Sequence, residues 1–263
     1  MMEFIKAQGL GNDFIMLVNP DVPVNDLSNL SRRLADRRYG IGCDQVIVSQ
    51  EINDHIKVRF FNADGSEAES CGNGSRCIAK YLMNKKQKNS ITFETLGGTL
   101  NCQLENDMVK VQMPTPTIQV LDGPDSLGHL STPDAVAVNV GNPHLVCFVD
   151  SIELASQYGE GLENHPTFPL RTNVDFVKVL DSQHLQLKVW ERGTGITPAC
   201  GSGACASVVA ARAHKLVGQK VKVSQVGGDL WVLWNEKELY MTGPAIIVFT
   251  GTLTQNYEIS KRI

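Results

Sequence analysis

The chain lacks the features that would tie it to membranes, nucleic acid or metal. No segment of its 263 residues approaches the ~20 consecutive apolar residues of a membrane span. Its start, Met-Met-Glu-Phe-Ile-Lys, has neither the basic head nor the apolar run of a secretory leader. A cytoplasmic protein with no membrane partner is the expectation. Basic charge is also scarce: 24 Lys and Arg against 28 Asp and Glu leave a net charge of −4. Nucleic-acid binding needs clustered cations on the phosphates, so nucleic acid is excluded as the main partner. The one basic run, Lys85-Lys86-Gln87-Lys88, reads as a solvated helix end. No Gly-x4-Gly-Lys-[Ser/Thr] loop occurs, and Gly9-Leu10-Gly11 lacks the third glycine of a dinucleotide fingerprint. Among the six histidines no two stand within five residues of each other, and the pairs Cys71/Cys77 and Cys200/Cys205 do not build a zinc quartet. There is no Cys-x-x-Cys, and seven cysteines are an odd number in a chain long enough to bury its own core. Free thiols are expected, with no metal and no cofactor.

The chain does contain one motif twice. Cys71-Gly72-Asn73-Gly74 returns 129 residues later as Cys200-Gly201-Ser202-Gly203. Gly11-Asn12-Asp13-Phe14 is echoed by Gly141-Asn142-Pro143-His144, and Gly97-Gly98 by Gly227-Gly228, each at an offset of 130. Asp44 with Val46-Ile47-Val48 reads as a further echo in Asp175 with Val177-Lys178-Val179. Landmarks kept in order and register imply two similar lobes, each about the ~100–150 residues usual for a compact unit. The predicted fold is α+β: two structurally similar lobes, each a mixed β-sheet wrapped around a central helix, with an active site in the cleft between them. The first lobe is expected over 1–116 and the second over 117–250.

Local patterns place the repeated cysteines. Ile56–Phe61 and Leu185–Trp190 alternate polar and apolar residues as strands do. A glycine-containing loop follows each, then the cysteine motif, then a helical pattern. In the first, Cys77, Ile78, Tyr81 and Leu82 share one face; in the second, Ala204–Ala213 is small and apolar nearly all round, as in a helix buried on every side. The Gly-Gly pairs mark hairpin turns. Cys71 and Cys200 therefore each stand at a helix N-terminus, where unpaired N–H groups favour an anion. A helix-end interaction of ~0.3–2 kcal/mol would lower a thiol pKa from about 8.5 to roughly 7. The same N–H groups suit a substrate carboxylate, so an α-amino acid fits between the two thiols. The other cysteines, 43, 77, 102, 147 and 205, read as small core hydrophobes.

The stretches Gly9–Phe14, Phe60–Ala68 with Cys71–Cys77, Gly141–His144, and Glu191-Arg192-Gly193 leading to Ala199–Ala206 resemble diaminopimelate epimerase, and the resemblance spans the whole chain. It implies a cofactor-independent epimerase, an isomerase interconverting LL- and meso-2,6-diaminopimelate on the route to lysine and peptidoglycan. By match, Cys71 and Cys200 are the catalytic thiolate and thiol, exchanging roles with direction. His144 and Glu191 match residues that tune those thiols. Gly72, Asn73, Gly201 and Ser202 match the groups holding the reacting carboxylate. Asn12, Gln45, Asn62, Asn142, Asn173, Glu191 and Arg192 match the substrate pocket, with Arg192 a bidentate partner for the distal carboxylate. From residue type alone, Asn12, Asn62 and Asn142 read first as turn residues, and His144 equally as a packed histidine. The resemblance also implies that a final strand, about 250–263, returns to the first lobe, and that the protein can form a homodimer.

Two positions depart from the family pattern. Ser70 stands where the family usually has Met, and reads as a replacement helix cap; Ile196 stands where it usually has Glu. Three other readings stay open. A proline or hydroxyproline racemase shares the two-thiol logic but resembles Cys-Gly-His-Gly. A thiol redox protein would cycle Cys71 and Cys200 through a disulfide. A binding protein would need neither thiol. Hinges for lobe closure are expected near 112–120, around Pro114-Thr115-Pro116, and near 248–252.

Overall fold

The computed structural model describes residues 2–120 and 135–254. Contacts gather the chain into two compact units: residues up to Val111 together with those from Pro244 onward, and Gln112–Gly243.

In the first unit the elements are β1 (Glu3–Gly9), β2 (Asn12–Val18), α1 (Leu27–Ala35), β3 (Gln45–Ile52), β4 (His55–Asn62), β5 (Glu67–Ala68), α2 (Gly72–Lys86), β6 (Ser90–Thr95), β7 (Gly98–Glu105) and β8 (Met108–Met113). A strand from the end of the chain, Ile246–Thr252, pairs antiparallel with the outer side of β1. Residues 255–263 of the expected final strand lie outside the described residues. Across the sheet the order is Ile246–Thr252, β1, β2, β3, β4, β6, β7, β8. The pairs β2/β3 and β4/β6 are parallel, so each needs a crossover, and α1 and α2 supply them. Helix α1 buries Leu27, Leu30 and Leu34 at three- and four-residue spacing against β3 and β4. Each such leucine contributes roughly 1.5–3 kcal/mol.

In the second unit the elements are β9 (Thr117–Val120), β10 (Val136–Asn139), β11 (Pro143–Phe148), α3 (Ala155–Glu163), β12 (Asn173–Asp181), β13 (His184–Glu191), β14 (Gly195–Ile196), α4 (Gly201–Ala213), β15 (Lys220–Gln225), β16 (Gly228–Trp234) and β17 (Leu239–Gly243). Its order is β9, β10, β11, β12, β13, β15, β16, β17, with β11/β12 and β13/β15 parallel. The order and the parallel pairs repeat those of the first unit, except that the outermost strand, β9, directly precedes β10 in the chain, whereas the strand beside β1 comes from residues 246–252.

Each unit wraps its sheet around one helix. Helix α2 packs against β1, β2, β3, β6, β7 and Ile246–Thr252, and α4 against β10–β13, β16 and β17. Surrounded helices must be thin, and α4 is: Gly203–Ala211 is buried without interruption and holds nothing larger than valine. In α2 the buried stretch is Asn73–Ala79, joined by Leu82 and Met83, while Tyr81 is only partly covered. The basic run ends α2 in solvent as its composition suggested, with Lys86 Nζ 2.6 Å from a Glu51 carboxylate oxygen. Both Gly-Gly pairs close hairpins, and Gly98 (φ +115°) and Gly228 (φ +133°) adopt backbone conformations that strain any side chain.

Two sequence expectations need correction. The strand 248–252 cannot hinge, because Thr250, Gly251 and Thr252 are in register with Ile5, Phe4 and Glu3; the chain leaves the second unit earlier, between Gly243 and Pro244. The repeat register at Asp44 is also different. Phe14 pairs with Gln45 and His144 with Asn173, so the counterpart of Asp175 is Ile47, and Asp44 lies outside the strand.

Candidate active site

In the first unit the β4–β5 loop delivers the chain to Cys71, whose extended backbone (φ −144°, ψ 114°) makes it the N-cap of α2. Its Sγ accepts the Gly74 N–H at 3.4 Å and donates to Asn12 Oδ1 at 3.8 Å. The cap is thus the cysteine itself; Ser70, one residue earlier, is exposed. Asn73 Nδ2 reaches the same Asn12 oxygen at 3.5 Å, and Asn12 Nδ2 is anchored on Asp44 at 2.8 Å. Gln45 Nε2 donates to Asn62 Oδ1 at 2.8 Å across the β3/β4 pair. Arg76, fully buried, donates to Asn73 Oδ1 at 2.8 Å. The expected residues Asn12, Cys71 and Asn73 therefore form one cluster, with Gln45 and Asn62 bonded to each other.

The second unit repeats the device with different electrostatics. Cys200 (φ −122°, ψ 118°) caps α4, accepting the Gly203 N–H at 3.4 Å, while its own N–H is held by Gln225 Oε1 at 2.8 Å. Ser202 Oγ lies 3.4 Å from Cys200 Sγ, and His144 Nε2 lies 3.0 Å from that hydroxyl and 3.2 Å from Asn142 Oδ1. His144 Nδ1 meets Asp175 Oδ2 at 2.8 Å, with both side chains fully buried. Glu191 takes hydrogen bonds from the Thr197 hydroxyl and from Cys200. Asn173 donates to Pro143 O at 2.8 Å and accepts the Arg192 N–H at 3.0 Å, fixing the backbone of an otherwise exposed arginine. Among the described residues, Arg192 Nη1 donates to the Leu170 carbonyl alone, at 3.5 Å.

Burial overrides the helix end at Cys200. Desolvation, followed by the Glu191 and Asp175 carboxylates, holds this thiol well above its ordinary range, against the smaller lowering from Ser202 and the Gly203 N–H. The sequence expectation of a lowered pKa is therefore wrong for Cys200, because a helix end contributes at most ~2 kcal/mol whereas full desolvation moves a group by up to 3–5 pKa units. Burial likewise raises Glu191. Cys43, Cys77, Cys102 and Cys147 are buried thiols pushed up to about 12, as core cysteines should be. Cys71, by contrast, is partly exposed. Among the described residues no group of three His, Cys, Asp or Glu side chains is arranged to hold a metal ion.

With this geometry in hand, comparison with known proteins is decisive. The family model for diaminopimelate epimerase matches residues 4–119 and 136–248. The chain belongs to the diaminopimelate epimerase family. Diaminopimelate epimerase of Gluconobacter oxydans is 42% identical over 261 residues, covering 95% of this chain and 98% of that one. The enzyme of the same name from Carboxydothermus hydrogenoformans is 43% identical over 271 residues, with 95% and 98% covered. Solved structures share the fold at low identity. A phenazine biosynthesis protein of the PhzF family from Bacillus anthracis superposes with a TM-score of 0.75 at 15% identity, covering 96% of this chain and 99% of that one. A hydroxyproline epimerase from Agrobacterium vitis gives 0.67 at 14%, covering 95% and 91%. The family is one of amino-acid epimerases, and the two-lobed α+β fold is theirs.

Sequence reasoning passed over three residues that the structure brings to the second thiol: Thr197, Gln225 and Asp175. Asp175 had a signal. A carboxylate at an inward position among Val174, Phe176 and Val177 is out of place in a core strand and points to a purpose other than packing.

Proposed function

We propose that the chain interconverts LL- and meso-2,6-diaminopimelate without a cofactor, in the cytoplasm, as a step toward lysine and peptidoglycan. Cys71 and Cys200 act on opposite faces of the α-carbon, one as thiolate removing the proton and the other as thiol delivering one. The observation that carries this reading is the duplicated cap: each unit sets a cysteine at the N-terminus of its central helix, followed by the residues that would take a carboxylate, Gly72 and Asn73 in one, Gly201 and Ser202 in the other. Negative charge that spreads onto the substrate carboxylate as the proton leaves is stabilised by preorganised N–H donors. Arg192 takes the distal carboxylate, with Asn12, Gln45, Asn62, Asn142 and Asn173 lining the pocket. A homodimer is part of the proposal, decided by sedimentation equilibrium.

The test is proton NMR of the reduced protein with LL-diaminopimelate in D2O. Loss of the α-proton signal with appearance of the meso isomer is expected, and Cys71→Ala or Cys200→Ala should reduce the rate by about 10²–10⁴-fold or more. No exchange from folded, reduced protein would refute the reading, and proline or hydroxyproline would be the next substrates tried.

A further inference from the structure

The internal duplication supplies a control within the same chain. Val46 opposes Phe61 in β3/β4 as Val174 opposes Trp190 in β12/β13, which makes Ile47 and Asp175 equivalent, and Phe14 and His144 likewise. In the first unit a Cβ on Gly74 would meet Ile47 Cδ1 at 2.9 Å, Phe60 Cε1 at 3.0 Å and Phe14 Cε1 at 3.3 Å. In the second unit a Cβ on the matching Gly203 would meet Asp175 Oδ1 at 2.6 Å. Two of that apolar trio, Phe14 and Ile47, have a buried histidine and a buried carboxylate as their counterparts in the second unit. Burying such a pair is costly and an apolar isostere is often as stable or more so. The first unit contains that isostere at the same place. Packing therefore gives no reason for His144 and Asp175, and Asp175 Oδ1 has no hydrogen-bond partner among the described residues.

We infer that Asp175 is a positioning residue that holds His144 with its proton on Nδ1, making Cys200 Sγ, Ser202 Oγ and His144 Nε2 a proton relay serving the second cysteine alone. The inference rests on the epimerase reading for its purpose, though not for its geometry. The S–H proton of Cys200 passes to Ser202 Oγ across 3.4 Å while the hydroxyl's own proton passes to His144 Nε2 across 3.0 Å. One S–H and one O–H bond break, one O–H and one N–H bond form, and no electrons change hands. The products are a Cys200 thiolate and a His144 imidazolium. The imidazolium is held by Asp175 at 2.8 Å on one side, and its new N–H finds Asn142 Oδ1 at 3.2 Å on the other. The groups that face Cys200 are Glu191 from β13, Asp175 from β12 and the Ser202 hydroxyl, through which it reaches His144 on β11; the two carboxylates oppose its ionisation, Glu191 accepts a hydrogen bond from the thiol, and His144 is the neutral base to which Ser202 connects it. The relay thus lets a buried thiol, disfavoured as an anion by its surroundings, act as a base when the reaction runs from its side.

The test reads each thiol without turnover: the pH profile of alkylation by iodoacetamide, followed peptide by peptide by mass spectrometry, in reduced unliganded protein. Ser202→Ala should slow Cys200 labelling at pH 7 by about tenfold or more, one pKa unit per tenfold, and move its profile to higher pH, leaving Cys71 unchanged; Asp175→Asn should do the same because losing the imidazolium's partner outweighs removing a carboxylate that opposes the thiolate, and faster Cys200 labelling in that variant overturns the inference. The double variant His144→Phe/Asp175→Ile, which installs the first unit's pair, should fold with undiminished urea stability and show the same slowing. An unmoved Cys200 profile, or equal slowing at Cys71, overturns the inference; so does a double variant that loses stability while keeping thiol reactivity. Should Asp175→Asn not fold, Ser202→Ala and the double variant decide. Failure of wild-type exchange with diaminopimelate would sink the epimerase reading while leaving these profiles to be read on their own.

Discussion

Replacing Glu163 should weaken the second unit and loosen Arg192, the residue proposed for the distal carboxylate. Glu163 ends α3 with 5% of its surface exposed. One carboxylate oxygen accepts the Trp190 indole N–H at 2.8 Å; the other accepts the Gly193 N–H at 2.7 Å and Arg171 at 3.2 Å. Arg171 is 53% exposed, so its ion pair is screened and adds little. If the carboxylate goes, the half-buried Trp190 N–H loses its acceptor at a cost of ~1–3 kcal/mol, while exposed Gly193 can turn its N–H to water and gives up only the ~0.5–1.5 kcal/mol net of an ordinary hydrogen bond. Glu163→Ala should therefore cost about 1.5–4.5 kcal/mol. Glu163→Gln must turn its amide against one donor and should cost about 1–3 kcal/mol. Urea unfolding at constant slope measures both. Because Gly193 follows Arg192, the same variants loosen the arginine proposed to take the distal carboxylate, and a loss of ~1.4 kcal/mol there raises KM about tenfold. A Glu163→Gln protein within 0.5 kcal/mol of wild type, with unaltered KM, would refute the reasoning.

Three further outcomes follow from the structure. Burial raises Glu191, so the fold favours its protonated form and loses stability as pH rises through the raised value; Glu191→Gln should match wild type in stability below pH 4.5 and exceed it increasingly above, as paired urea titrations from pH 4 to 8 will show. Gly203→Ala forces a methyl against Asp175 Oδ1 and should cost ~1–3 kcal/mol, whereas Gly161→Ala, in exposed helix with nothing within 4 Å, should gain ~0.5–1 kcal/mol; thermal melts separate the two. Iodoacetamide at pH 8 should label partly exposed Cys71 before buried Cys200, and the five core thiols only after unfolding; early labelling of Cys77 or Cys147 would contradict the core assignment.

Much of this was legible in the residues because the chain repeats itself. Alternation fixed β4 and β13, small apolar residues marked α4 as enclosed, and the Cys-Gly motif located both helix starts. What motif spacing could not supply was register and burial. Matching Asp44 to Asp175 followed a run of valines, which many registers satisfy; strand pairing moves the match by three residues and exposes Asp175 as a carboxylate in a core position. The helix-end argument treated both thiols alike, since dielectric surroundings leave no trace in a tetrapeptide. Ser70 looked like a cap by type, but the cysteine's own backbone geometry takes that role.

The strand Ile246–Thr252 gives the two halves different histories during synthesis. The second unit is one continuous stretch and can close as soon as Gly243 has left the ribosome. The first, although made earlier, presents the open edge of β1 until residue 252 has emerged, and an unpaired edge is a template for pairing with other chains. The half translated first is thus the half that finishes last, and a nascent chain stalled between the two events is the form most exposed to aggregation.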